Sequence, residues 1–457
     1  MQKKHRLIIS GAVLVIVLSC AVSVLLLLQA TGLLPSGQPA SSVGVEQQSM
    51  DTSSAELTTH SAVEISGDEE SGSSGAYGQA AKVTLPVAAG YNAMPMQQGK
   101  ESLEGTPLET LYDQIAEKAY QISEEAEEGQ LYPAQRITIQ GSEFTDAQVV
   151  QALSAFLHDH PEVFWISSQY GYSSGNGRTV VQLYSVLPAS ECGELSQRIM
   201  AEVGKVLNRI PQGESALDRE IYLYEQVMKY CSYDEEAAVN SNDWRAHTIV
   251  GAFLDSQAVC EGYARAFQLL LNQAGVPSML VTGSAGGAHM WNLVRIDGQW
   301  YHVDTTWDDN GSTGVYSYVN LTDEMIGQDH TVDLEAGTVE APSASEVYNL
   351  PLPACTAVKA NYFRAKGVTL DSLDESETIA TAIEEAAAEQ AESIAFYIDE
   401  SLNYDDTVSR MFQESPYQFM YGVRTANVTA EHPVDYDNCT YVEATASRGL
   451  VVLLAYE

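Results

Sequence analysis

The pattern of apolar and polar positions changes several times along the 457 residues. Leu7 to Leu34 is almost continuously apolar and long enough to cross a bilayer as one helix. Lys3, Lys4 and Arg6 precede it and no positive residue follows soon, which sets the N-terminus inside and the remainder outside. Residues 1–34 therefore read as a retained membrane anchor; a cleaved signal peptide is the rival, although its apolar core is normally shorter. Cys20 does not read as a lipid-attachment site, because the apolar run continues past it. Residues 35–95 are Ser, Gly, Gln, Ala and Glu with few large apolar side chains. They cannot bury enough area to offset ordering, so a flexible tether is expected.

Regular periodicity begins near Thr106. Leu108, Leu111, Ile115 and Ala119 recur at helical spacing. "RITIQ" alternates as a strand. Thr145 can cap a helix whose face is Val149, Ala152, Leu153 and Phe156. "VFWISSQYGY" and "TVVQLYSV" read as strands split by the turn "SSGNG". These make an α+β unit over residues 106–190. Glu194 to Tyr230 is helical again, with Leu217, Ile221, Tyr224 and Met228 as a face. A helix from Cys260 and strands to about Leu321 follow, within a middle domain spanning 191–365. Residues 366–457 form a third unit: a helix over "ESETIATAIEEAAAEQAE", the strand "SIAFYID", a second helix and two strands. That order loosely echoes residues 108–187.

Chemistry concentrates in the middle domain. Tyr263, Phe267, Leu270, Leu271 and Ala274 mark one helical face, and Gly275 and Pro277 end it. Cys260 thus sits in the first turn, where free N–H groups and the positive dipole end favour a free, acidic thiol. Downstream, Asp297-Gly298 is a two-residue hairpin signal between alternating strands. In a tight turn Ile296 opposes Gln299, and His289 and Asp304 then share a face as diagonal neighbours, roughly 7–8 Å apart. A nucleophile, a base and a group to orient the base follow in the order Cys260, His289, Asp304.

"VCEGYARAFQLLLNQAGVPS", "HMWNLV" and "GQWYHVDTTWDD" together resemble the transglutaminase-like superfamily, in its bacterial extracytoplasmic branch. "DHPEVFW" and "ANYF" resemble segments that flank such cores, so the likeness covers about residues 150–365. The resemblance implies a papain-like fold, with the nucleophile heading a helix packed on an antiparallel sheet. It implies a catalytic triad of Cys260, His289 and Asp304. Animal transglutaminases use a tryptophan, and papain-like proteases a glutamine, as the second oxyanion donor beside the nucleophile's own N–H. Trp244 and Gln257 lie upstream here without a matching spacing, so that donor stays unassigned.

Other residues draw quieter readings. His302 reads as a packing or polar neighbour, and Trp291, Trp300 and Trp307 as core and cleft wall. Asn292 could shape the site through hydrogen bonds or serve structure alone. Asp308 and Asp309 beside a Gly-rich turn lack EF-hand spacing and read as a solvated turn. "HDH" (His158 to His160) reads as a helix C-terminus, where histidine favours the negative dipole end and Pro161 stops the helix. Cys192, Cys231, Cys260, Cys355 and Cys439 would face an oxidising exterior, yet cysteines this sparse are as readily reduced and buried.

The formal charge of −40 argues against nucleic-acid binding and beyond that implies only solubility. No cofactor or metal is expected, and oligomeric state is left open. The expectation is an anchored extracellular cysteine acyl-transfer enzyme acting on protein or cell-wall peptide amides, by hydrolysis or by transfer to an amine. The alternative is a transglutaminase-like module without catalysis, serving as an envelope binding or structural protein.

Overall fold

A computed structural model describes residues 61–64, 80–86, 97–127, 131–210, 213–240, 243–309, 315–333 and 349–457. The anchor expected over 1–34 lies outside these residues, as does most of the tether expected over 35–95; the described parts of that stretch are not tether, because Ser61–Glu64 and Ala81–Lys82 pair as strands with Gln169–Tyr172 and Gln121–Ile122, and Val83 is buried. Among the described residues no helix is long and apolar enough to cross a membrane. The chain divides into two compact units, Asp51–Thr306 with Thr322–Ala357, and Trp307–Leu321 with Val358–Glu457.

The first unit opens with a mixed sheet built from β1 (Ser61–Glu64), β2 (Tyr132–Pro133), β3 (Ile137–Gln140), β4 (Ile166–Gly175) and β5 (Arg178–Ser185). Its order is β1-β4-β5-β2, with β3 also on β5, and only the β1–β4 pairing is parallel. The β4–β5 turn is tighter than the sequence suggests. Ser173 to Gly175 stay in the strand, and Asn176 and Gly177, both at positive φ, make the two-residue connection. Helices α1 (Leu108–Lys118) and α2 (Asp146–Asp159) bury the expected faces, and Thr145 and Gln148 form a reciprocal capping box.

The region read as one helical stretch is two helices, α3 (Ala189–Leu207) and α4 (Ala216–Tyr230), the second capped by Ser215. The buried face of α4 is Glu220, Leu223, Tyr224 and Val227. Leu217, Ile221 and Met228 are only half-buried, so the helix is rotated from the face the apolar residues suggest. Next comes α5 (Cys260–Gln273), followed by β6 (Ser278–Ser284), β7 (Ala288–Ile296), β8 (Gln299–Val303), the short helix α6 (Asp323–Ile326) and the short strand β9 (Thr331–Val332). These strands form an antiparallel sheet of order β8-β7-β6-β9. Cys260 and Ala264 of α5 pack on Leu280 and Met290 of that sheet. Every residue of α5 except Arg265 and Gln273 is buried, so it is a core helix rather than an amphipathic one.

The second unit holds β10 (Val368–Leu370), α7 (Ser376–Glu389), β11 (Ser393–Ile398), α8 (Tyr404–Phe412), α9 (Gln418–Ala426), β12 (Thr440–Ala444) and β13 (Gly449–Leu453). Two short helices stand where one was expected. The sheet order is β10-β11-β13-β12, and only β10–β11 is parallel. The echo of the first unit survives as topology. In both, the first of three strands pairs antiparallel with the last, which forms a hairpin with the one between (β3-β5-β4 and β11-β13-β12).

Candidate active site

Cys260 is the first residue of α5, and Val259 before it caps the helix with no side-chain hydrogen bond. The first-turn N–H groups and the dipole's positive end therefore lie beside the thiol. Gly262 makes this crossing possible. A Cβ there would stand 2.5 Å from the Ala246 carbonyl oxygen and 2.8 Å from the Ala258 Cβ. Glu261, also buried, accepts from His247 Nδ1 at 3.1 Å and from the Arg265 guanidinium at 3.0 Å. Burial alone would raise its carboxyl, but Arg265 and His247 bring it down to about 2. The helix start is thus bolted to its surroundings by an ion-paired residue adjacent to the nucleophile position.

The β7–β8 hairpin turns at Asp297-Gly298, both at positive φ, and Ile296 opposes Gln299. That register carries His289 and Asp304 onto one face. His289 Nε2 lies 2.6 Å from Asp304 Oδ2, with both residues buried. The Cys260 thiol stands close enough to the same imidazole to help raise it. Burial works against a charged His289, but the Asp304 carboxylate outweighs it and, with Cys260, raises the ring to about 10. Burial would likewise raise Asp304; His289 and His330 instead hold it well below the usual carboxylate range. An ionised Asp304 only accepts, so His289 donates through Nε2–H.

Several neighbours escaped the sequence reading. His330 Nε2 lies 3.1 Å from the same Asp304 Oδ2, and its Nδ1 is 2.5 Å from Asp329 Oδ1. It was missed because it lies 26 residues beyond Asp304, just ahead of a two-residue strand without an alternation signal. Tyr233 lies close enough to Cys260 and Asp304 for their charges, after burial, to push its phenol up. His302 is the polar neighbour expected: Trp291 Nε1–H donates to its Nδ1 at 2.9 Å and its Nε2 meets Asp323 Oδ1 at 3.0 Å. Trp291 stacks on His289 with ring centroids 5.8 Å apart. Asn292 donates to the Ala264 carbonyl at 3.0 Å, tying β7 to α5.

His289, Asp304 and His330 bring three ligand-type atoms within 4.8 Å of one another, and His302, Asp323 and Cys355 do the same. In the first group Asp304 Oδ2 already accepts from both rings. In the second, a metal on His302 Nε2 would leave Nδ1 accepting from Trp291 only as an imidazolate. Hydrogen bonding accounts for both clusters.

Other sequence candidates are elsewhere engaged. Trp244 stacks on Phe164, and Gln257 is exposed in a two-residue strand paired with Ser232 and Tyr233. Trp300 and Trp307 are half-buried. Asp308 is not a solvated turn: it is buried and accepts from the Ser317 and Tyr318 N–H groups at 3.1 and 2.9 Å. "HDH" does end α2, but not through charge. Burial lowers His158 to about 3 and keeps it neutral, while Asp159 accepts from the Gly99 and Lys100 N–H groups. Cys192, Cys231, Cys260, Cys355 and Cys439 are all free thiols.

Residues 205–305 match the family model of the transglutaminase-like superfamily (Transglut_core). That stretch contains Cys260, His289 and Asp304, and the chain carries a transglutaminase-like core. Mouse kyphoscoliosis peptidase is 28% identical over 115 residues, which are 22% of this chain and 17% of the peptidase. The human kyphoscoliosis peptidase is 27% identical over the same shares. The match spans less than a fifth of those curated relatives. The crystal structure of a TGase is 18% identical, covering 47% of this chain and 61% of that one, with a TM-score of 0.25.

Proposed function

We propose that the protein is a membrane-anchored, extracellular cysteine acyl-transfer enzyme acting on protein or cell-wall peptide amides. The convergence of Cys260, at the start of α5, with the hydrogen-bonded pair His289–Asp304 supports this reading most directly. His289 already holds the proton as an imidazolium in the resting pair, and the Cys260 sulfur beside it attacks the amide carbon as the thiolate. The tetrahedral oxyanion forms beside the first-turn N–H groups of α5, with that of Cys260 a candidate donor. His289 then gives its proton to the departing amine, which leaves as the C–N bond breaks and a thioester remains. Water or a second amine attacks the thioester, losing its proton to His289, and the resting pair is restored. Asp304 keeps His289 in the tautomer that turns Nδ1 to the thiol and supports the ring while it is charged. The peptidase name of the partial relatives favours water as acceptor. The anchor and outward orientation rest on the apolar run Leu7 to Leu34 and the basic residues before it.

One observation favours the competing module without catalysis: Cys260 is 1% exposed and His289 6%. Alkylation by iodoacetamide and an amide-based thiol probe, with peptide mapping, separates the two. The enzyme reading expects Cys260 to label fastest of the free cysteines in folded protein and to lose that advantage on denaturation. Labelling no faster than Cys192 or Cys355 favours the binding module.

A further inference from the structure

One oxygen of Asp304 serves two imidazoles. His289 Nε2 is 2.6 Å from Oδ2 and His330 Nε2 is 3.1 Å from it. The other oxygen, Oδ1, accepts from the Thr306 N–H at 2.8 Å. His330 is held from behind by Asp329 Oδ1 at 2.5 Å. A carboxylate only accepts, so a ring bonded to carboxylates at both nitrogens carries a proton on each. The charged or titratable groups facing His330 are Asp304, Asp329 and His289; His302 feels its charge, and the Cys260 thiol lies beyond His289. The edge of Trp291 closes the remaining side, 5.1 Å between centroids.

We propose that His330 is a positioning residue that latches the Asp304 carboxylate for His289. This rests on the catalytic reading given above. Donors on both oxygens fix the carboxylate plane, so the remaining Oδ2 lone pair is aimed at His289 Nε2–H. His330 touches neither the nucleophile nor the acyl group and acts through Asp304. Its own mount is part of the sheet. β9 follows directly and pairs with the end of β6, Ser284 with Thr331 and Gly283 with Val332. A Cβ on Gly283 would stand 2.0 Å from the Thr331 carbonyl oxygen, so the strand that seats His330 fits only against glycine.

The test compares wild type, His330→Gln and His330→Leu by the rate of Cys260 alkylation across pH. Gln keeps an N–H donor at about the reach of Nε2, whereas Leu keeps the volume and removes the donor. His330→Leu should alkylate about tenfold more slowly near neutral pH, the worth of one hydrogen bond to a charged group. Both variants remove the His330 charge that opposes the imidazolium, so the donor is read from the difference between them: the alkaline limb, where His289 loses its proton, should lie at lower pH in His330→Leu than in His330→Gln, because an unlatched carboxylate supports the imidazolium less well. His330→Gln should stay within about threefold of wild type, since its donor remains. A merely structural His330 would change the melting temperature and leave the alkaline limb at the same pH in both variants. If His330→Leu does not fold by circular dichroism, His330→Ala replaces it in the same comparison. Wild-type rate and profile in the donor-less variant, or no recovery in His330→Gln, overturns the latch. Slow, pH-insensitive alkylation of wild type overturns the catalytic reading instead.

Discussion

On the proposed catalytic reading Cys260 and His289 make separable predictions, because one would supply the reacting atom and the other its counter-ion. Cys260→Ala and His289→Ala should each abolish turnover of a peptide amide, and Asp304→Ala should leave more, since it removes no reacting atom. His289→Ala should also slow alkylation of Cys260 near neutral pH; equal rates in two folded proteins would mean that the side chains are not a pair. The His289 value has a consequence for stability. Its folded-state value, about 10, lies above the ordinary value near 6.5, so its contribution is complete below about 6.5 and fades as pH rises through about 10. Asp304 has the opposite sign and loses its contribution only as pH falls below the usual carboxylate range. The melting temperature of wild type should therefore fall between pH 7 and 10 by more than that of His289→Gln. At this scale the sequence was legible wherever local rules reach. Helix position identified Cys260, and strand parity paired His289 with Asp304. His330 was not legible, because its place depends on a strand of two residues crossing to a distant edge. Asp308 and His158 were misread for one reason: the sequence did not show that they would be buried.

Among the elements, α5 is the one whose placement is least forgiving. Gly262 meets backbone and side chain at 2.5–2.8 Å, and neither contact is the free end of a flexible chain. Gly262→Ala should cost about 1–3 kcal/mol by overpacking and should slow Cys260 labelling as the helix start shifts. An unchanged melting temperature and labelling rate would contradict that geometry. Hairpin elements were read best, since turn chemistry and alternation both act over a few residues; β7–β8 has the expected register throughout. Helix faces were read less well. On α4 the chain buries Glu220 and leaves Leu217, Ile221 and Met228 half-exposed, because tertiary contacts rather than apolar count choose the face. On α5 the five residues chosen are buried, but so is almost everything else.

At the scale of the molecule, the core of the second unit is drawn from residues 370–452. A fragment of residues 358–457 should accordingly fold alone and melt cooperatively; a broad, non-cooperative transition would refute its autonomy. Protease treatment of intact cells should release the folded part by cutting between residues 35 and 60, ahead of β1, and resistance until lysis would reverse the proposed orientation. Long-range organisation was the least legible level. The shared three-strand order of the two α+β sheets was visible only as a faint repeat of element types, because pairing partners lie far apart in sequence. The burial of α5 on nearly every side has one more consequence. A helix without a solvent face cannot rock or slide without tearing core contacts, so the sulfur of Cys260 is set once, when the chain folds. α5 is a stator, and whatever moves must move around it. On the proposed catalytic reading an acyl group reaches this buried sulfur only when the elements covering it open, so kcat should track that opening rather than any motion of α5.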